Sequence, residues 1–397
     1  MGTIVTPCSL SLPCIEHLTV QALNLFTELT MEDLLQPRIT EASAYCEECE
    51  TRSSLLEDKT IVQPTVGFTK DSQDDTDVLF SVADNILDYG RLIIVILGLF
   101  GNLACQIVLF SRHYRQTSAG VLLIIISILD TMILFHFGFL PWIGIAFDAV
   151  DPLTRDPLIQ NSIFCKLYFF FMYIEAQTSS LTVSILSLER LIAVWFPFKA
   201  KMLLTRKRTL IAWLACFLCI VALNAVNLNA LDLIQNDQGQ ENSASPQCSF
   251  RSDTSRLRGW VEAFPHLDLA LVSAVPFAIQ AVANTLIIAK LRCLRTKFTN
   301  ESSSEGTNDG SRNLTYLLFG VSLLFAITTL PLAVNMTIDM YAVYNENDYN
   351  AGLVRLRFSI LLNLNLLNYA ANFVMYCVFC KKFRRIFRTK VKKMLSP

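Results

Sequence analysis

Residues 165–197 read CKLYFFFMYIEAQTSSLTVSILSLERLIAVWFP, a long apolar segment that opens on Cys165 and closes on Glu189-Arg190 before a basic loop. An arginine well inside a bilayer costs on the order of several kcal/mol. At the rim of a span its head group reaches water while the stem stays in apolar surroundings. As a helix, the interval from Cys165 to Arg190 is roughly 37 Å long, about a hydrocarbon core plus part of its interfaces. The two residues therefore mark opposite surfaces of a membrane.

Composition agrees with that reading. Of 397 residues, 53% are hydrophobic and 17% charged, with a mean hydropathy of +0.43, a balance outside the range of soluble domains. Seven apolar segments, at 92–110, 119–143, 164–193, 210–228, 267–291, 314–340 and 354–379, are each long enough to span as a helix. The expected fold class is an all-α membrane protein, a seven-transmembrane helix bundle. It divides into an acidic, mostly disordered tail at 1–88, the bundle at 89–380, and a basic amphipathic helix with tail at 381–397.

Lysine and arginine orient the bundle. The connections after the first, third and fifth segments, together with Arg190 and the last seventeen residues, hold 21 positive residues; the opposite side has the other 12, spread over longer sequence and outweighed by acids. By the positive-inside rule the N-terminus lies outside the cell and the C-terminus in the cytoplasm, with the chain multi-pass in the plasma membrane. Within residues 381–397, Phe383, Ile386, Phe387, Val391 and Met394 recur at helical spacing among eight bases and no acid. That pattern fits a helix lying on anionic membrane lipids.

Cysteines sort by the same topology. Cys8, Cys14, Cys46, Cys49, Cys165 and Cys248 fall outside, where disulfides persist. Cys46-x-x-Cys49 lacks a second pair, so a disulfide is favoured over zinc. Cys377 and Cys380 sit where palmitate could attach, and unmodified thiols fit equally. The four histidines show no HExxH spacing, and no Walker or GxSxG pattern is present. Nothing marks an enzyme, and the balanced net charge of -1 points to no nucleic-acid partner.

Taken in order, Gly101-Asn102, Asp130, Cys165, Glu189-Arg190-Leu191 with Pro197, Trp213, Pro276, Phe325, Pro331 and Asn372-Phe373-x-x-Tyr376 followed by Phe383-Arg384 resemble the rhodopsin-like G-protein-coupled receptors over about residues 90–390. The resemblance implies an extracellular ligand, a heterotrimeric G-protein engaged when the sixth span swings outward about Pro331 and Phe325, and arrestin as a further partner. It implies coupling through Glu189, Arg190 and Tyr376, with Glu189 holding Arg190 at rest. It places Asn102, Ser179, Asn368 and Asn372 around Asp130, where the family holds a sodium ion; a protonated, hydrogen-bonded Asp130 is the alternative. No other cofactor is implied. Pairing of Cys248 with Cys165 would tie the polar loop after the fourth span to the outer end of the third, with a free thiol as the alternative.

Departures from the pattern are informative. Leu191 follows Arg190 in place of an aromatic residue, Thr329 stands two before Pro331 in place of tryptophan, Asn284 replaces a tyrosine of the fifth span, and Phe373 replaces the proline after Asn372. Met172 stands where amine receptors carry an aspartate and Leu366 where opsins carry a lysine, which argues against an amine or retinal. Asp148, Asp151, Asp156, Asp339, Glu346 and Asp348 form an acidic rim with Glu175 and Asp268 deeper, suited to steering a cation. The resemblance is nearest to invertebrate neuropeptide receptors of the FMRFamide type, with Met172, Glu175, Asp268 and Asp339 as ligand-binding candidates. A chemosensory or other small-ligand receptor of the same fold stays open, and a seven-span transporter or channel is a distant third, since no internal repeat is evident.

Overall fold

A computed structural model describes residues 70–142, 162–234, 247–251, 257–298, 309–341 and 351–395. Among the described residues, five helices are long and apolar enough to cross a membrane: Val78–Leu109, Ser118–Trp142, Arg206–Ala230, Arg258–Cys293 and Gly320–Asp339. Gly352–Ala370 and Asn372–Phe379 together make another crossing, bent by 50°. The remaining one is Ser162–Trp195, 34 residues long. In chain order these are the first to seventh spans of a seven-helix bundle, with Ser162–Trp195 third and the bent pair seventh.

The third span carries a long run of buried polar residues. It packs against the second, fourth and fifth spans and buries Glu175, Gln177, Thr178, Ser179, Ser180, Thr182, Ser184, Ser187 and Glu189. Without water, hydroxyls need a partner. Thr182, Ser184 and Ser187 find one in the backbone carbonyls of Thr178, Ser180 and Val183, one turn earlier. Thr117 and Thr205 start the second and fourth spans by accepting from the backbone N–H groups of Gly120 and Arg208, each satisfying a donor that the helix leaves open.

Small residues set the approach of the helices. A methyl group on Gly138 would lie 2.0 Å from Val95 Cγ2, and one on Gly98 would meet Leu134 and Ala370 at 2.6 and 2.8 Å. First, second and seventh spans close here. The seventh span bends without proline. Ala371, at φ −82° and ψ −5°, interrupts the helix, and Asn372 turns its side chain to Asp130 of the second span.

Several expectations are corrected. Residues 70–88, assigned to a disordered tail, are helical: Lys70–Asn85 leads through a π-helical turn at Ile86–Gly90 into the first span. Their acidic side chains hide the helix from a hydropathy reading. The loop expected between Ala230 and Arg258 contains a two-stranded antiparallel hairpin, β1 (Leu231–Ile234) and β2 (Gln247–Phe250), in which Leu233 faces Cys248. The fifth helix starts at Arg258, well before the apolar segment does. Helix Lys381–Leu395 buries part of its apolar side in protein rather than leaving it all for lipid: Phe383, 1% exposed, packs with Phe373, Tyr376 and Phe387. Residues 143–161, 342–350 and the four N-terminal cysteines lie outside the described residues.

Candidate functional site

Three sites lie along the bundle, ordered from the hairpin to the C-terminal helix. At the hairpin end, Cys165 and Cys248 form a disulfide with their Cα atoms 5.7 Å apart. The crosslink pins β2 to the start of the third span. Asp232 of β1 adds polar contacts: it accepts from Ser162 Oγ and the Leu233 N–H and lies 3.6 and 3.4 Å from the Lys166 and Arg251 nitrogens. Those hydrogen bonds, Ser162 foremost, hold its carboxyl below the usual range.

Beneath the hairpin lies a cavity of about 540 Å³. Its wall includes Tyr173, Phe250 and Phe264; Phe264 meets Tyr173 and Phe250 at centroid distances of 4.9 and 5.9 Å, and Trp260, outside the wall, at 5.5 Å. Met172 and Asp268 line it, as do Arg91, Thr329 and Asn365. The Thr329 hydroxyl and the Asn365 carbonyl oxygen are buried without a hydrogen-bond partner, so the lining retains unsatisfied polar capacity. Thr329 stands where a tryptophan would have filled space.

The other two ligand-binding candidates are not among the cavity's lining residues. Glu175 is buried and accepts from or donates to His136 Nδ1 at 2.7 Å, beside the π-helical turn Leu134–Phe139. Asp339 pairs with Arg357 of the seventh span at 2.5 Å and accepts from Asn335 at 2.8 Å. Of the acidic rim, Asp148, Asp151, Asp156, Glu346 and Asp348 lie outside the described residues.

Midway along the bundle is a void of about 30 Å³, lined by Asp130, Ser179, Asn368, Asn372, Phe325 and Tyr376 among apolar side chains. Asp130 accepts from Ser179 Oγ at 3.0 Å and from the Asn372 amide. Asn102 is turned elsewhere, donating to the Tyr369 carbonyl at 3.0 Å. Phe325 lines this void and Thr329, one helical turn on, lines the cavity, so the sixth span links the two. That helix continues through Pro331, whose missing N–H leaves a backbone carbonyl free one turn earlier.

At the far end, Glu189 is buried and takes the Thr209 hydroxyl at 2.5 Å. Among the described residues no ion pair joins Glu189 to Arg190, and the Arg190 Nε is buried without a hydrogen-bond acceptor. Glu189 thus bonds the third span to the fourth while standing next to Arg190. Tyr376 lies between the Asp130 void and Phe383 of the C-terminal helix.

Sequence reasoning missed Gln177, Asn224, Asn227, Trp260 and Arg91. The signal was available for the first three, since a buried amide inside a span needs a partner. Which partner it takes depends on helix rotation, which hydropathy does not encode.

Seven membrane-crossing helices, a disulfide-held hairpin over an aromatic cavity and a buried acid at mid-depth define a seven-span receptor. The profile of the 7 transmembrane receptor (rhodopsin family) matches residues 101–376, and the chain belongs to that family. It is similar to the FMRFamide receptor of Drosophila melanogaster, 27% identical over 305 residues that make up 74% of this chain and 52% of that receptor. An FMRFamide peptide receptor of Caenorhabditis elegans is 25% identical, over 74% of this chain and 66% of its own. The human cysteinyl leukotriene receptor 1 is 21% identical, over 69% and 74%. The chain thus spans about half the length of the Drosophila relative.

Proposed function

We propose that the chain is a G-protein-coupled receptor of the plasma membrane for a short cationic peptide, with its hairpin end outside the cell and Lys381–Leu395 in the cytoplasm. The observation that carries this reading is the 540 Å³ cavity, which brings Met172, aromatic rings and the Asp268 carboxylate together. Its size suits the end of a short peptide, and two relatives are named for FMRFamide. The Asp268 carboxylate receives the ligand's cation. Thr329 and Asn365 supply hydrogen bonds to its amide groups.

Binding at Thr329 shifts the sixth span, and the shift passes along one helix to Phe325 beside the Asp130 void. The oxygens of Asp130, Ser179, Asn368 and Asn372 suit a hard monovalent cation, and the void has room for one small ion. Those residues would hold sodium in the resting state, where it offsets the buried carboxylate's charge. Outward movement of the sixth span uncovers Arg190 and Tyr376 for the G-protein, and arrestin uses the same face. The bases of Lys381–Leu395 hold anionic lipid.

A second reading has its own observation. Arg91 lines the same cavity, which fits an acidic small molecule, and one relative is named for cysteinyl leukotrienes. A screen of a peptide library and a panel of acidic lipids on cells expressing the chain, read by calcium and cyclic-nucleotide signals, separates the two. Responses to basic peptides that fall on Asp268→Asn support the first. Responses confined to acidic lipids that fall on Arg91→Gln support the second.

A further inference from the structure

Behind Asp268 runs an unbroken series of hydrogen bonds across three spans. Trp260 Nε1 donates to Asn227 Oδ1 at 2.8 Å, and Asn227 Nδ2 donates to Asn224 Oδ1 at 3.4 Å. Asn224 Nδ2 donates to Gln177 Oε1 at 2.7 Å, and Gln177 Nε2 donates to Asp268 Oδ1 at 2.7 Å. Every bond points the same way.

The direction is fixed by chemistry at both ends. An indole N–H can only donate, and a carboxylate can only accept. Each amide between them must present its oxygen towards Trp260 and its nitrogen towards Asp268; flipping any one would set donor against donor. The three amides are fully enclosed, Asn224 and Asn227 at 0% and Gln177 at 1% exposure, so water cannot repair a broken link. Aligned bonds of this kind also polarise one another.

The two ends sit on one helix. Trp260 and Asp268 both belong to Arg258–Leu269, roughly 12 Å apart along its axis. The series leaves this helix at Trp260, passes through Asn227–Ala230, the fourth span and the third, and returns to it at Asp268. It therefore fixes the rotation of the fifth helix as well as one carboxylate oxygen. Asp268 itself lines the cavity.

We propose that Gln177, Asn224, Asn227 and Trp260 are positioning residues that hold Asp268 as the counter-ion for the ligand's cationic group. This rests on the reading that the cavity takes a cationic ligand. Of the three candidate acids, Asp268 lines the cavity, whereas Glu175 and Asp339 do not and are paired with His136 and Arg357.

The test has an arm that needs no ligand. In the purified receptor, the infrared band of the Asp268 carboxyl group is isolated by subtracting the spectrum of Asp268→Asn. Asn224→Leu, at a residue that does not touch Asp268, is expected to shift the band, and Trp260→Phe, which keeps a ring and removes one N–H, to shift it less. Trp213→Phe breaks a different, partly buried bond between the third and fourth spans, to Thr182 Oγ1 at 2.9 Å, and is expected to leave the band in place. A band unmoved by Asn224→Leu and Trp260→Phe, or moved as far by Trp213→Phe, overturns the proposal.

The second arm compares Phe-Met-Arg-Phe-amide with its analogue carrying neutral citrulline for arginine. Gln177→Leu should lower the potency of the first about tenfold or more and leave the second unchanged. An equal loss for both overturns the positioning role. Silence of the wild-type receptor towards both peptides counts against the cationic-peptide reading, and the infrared arm still decides the relay.

Discussion

The hydroxyl of Thr209 donates to the Glu189 carboxylate at 2.5 Å, joining the fourth span to the third one residue before Arg190. Glu189 is held by a neighbouring helix, and the adjacent Arg190 Nε is buried without a hydrogen-bond partner. Removing the hydroxyl with Thr209→Val leaves a buried carboxylate short of a partner, at a cost of about 1–3 kcal/mol. The freed carboxylate then turns to Arg190. Thr209→Val should lower both thermal stability and basal G-protein activation, whereas Arg190→Ala should abolish activation with ligand binding intact. Unchanged basal activity in Thr209→Val, measured by nucleotide exchange, would show that Glu189 does not restrain Arg190.

Asp130 carries the inner polar cluster through Ser179 and Asn372. Asp130→Asn keeps the shape and removes the charge that would retain a cation. The variant should reach the cell surface and lose any dependence of agonist affinity on sodium. A sodium response equal to that of the wild type would remove the ion from this void.

The contact between Gly138 and Val95 leaves no room for a methyl group, which would sit 2.0 Å from Val95 Cγ2. Gly138→Ala should destabilise the bundle by about 1–3 kcal/mol. Adding Val95→Ala should recover most of the loss, because the clash is with that side chain alone. A double variant no more stable than the single one, by thermal unfolding in detergent, would place the strain elsewhere.

Asp232 links the hairpin to pH. Its pKa is lowered in the fold by Ser162, the Leu233 N–H and the cations of Lys166 and Arg251. A depressed carboxyl stabilises above its unfolded value of about 3.9, and that stabilisation is lost as pH falls through the folded value. The protection of the Leu233 amide, its exchange corrected for the intrinsic rate at each pH, should therefore fall once the pH drops below about 4, and Asp232→Asn should abolish that dependence. Equal acid sensitivity in Asp232→Asn would exclude the carboxylate as its origin.

Much of the fold was legible because hydropathy and the placement of lysine and arginine are written along the chain. Seven crossings follow from run length, and the enclosure of Cys165–Arg190 from its buried polar residues. Features that depend on helix rotation were not legible: the turn of Asn102 towards Tyr369, the partner of Glu189, and the amides behind Asp268. The helix at Lys70–Asn85 and the early start at Arg258 were hidden because polar and charged residues there interrupt the apolar pattern that marks a span. The 50° bend at Ala371 has no proline to announce it.

The central claim is that a ligand at the hairpin end moves the sixth span at the other end. Spin labels at Leu203, just beyond the third span, and Leu323, on the exposed side of the sixth, would report that movement as a distance distribution. Adding a peptide agonist from the library screen should lengthen the distance by several ångström in the wild type and have no effect in Asp268→Asn. A distribution that stays in place while the peptide is bound would contradict it.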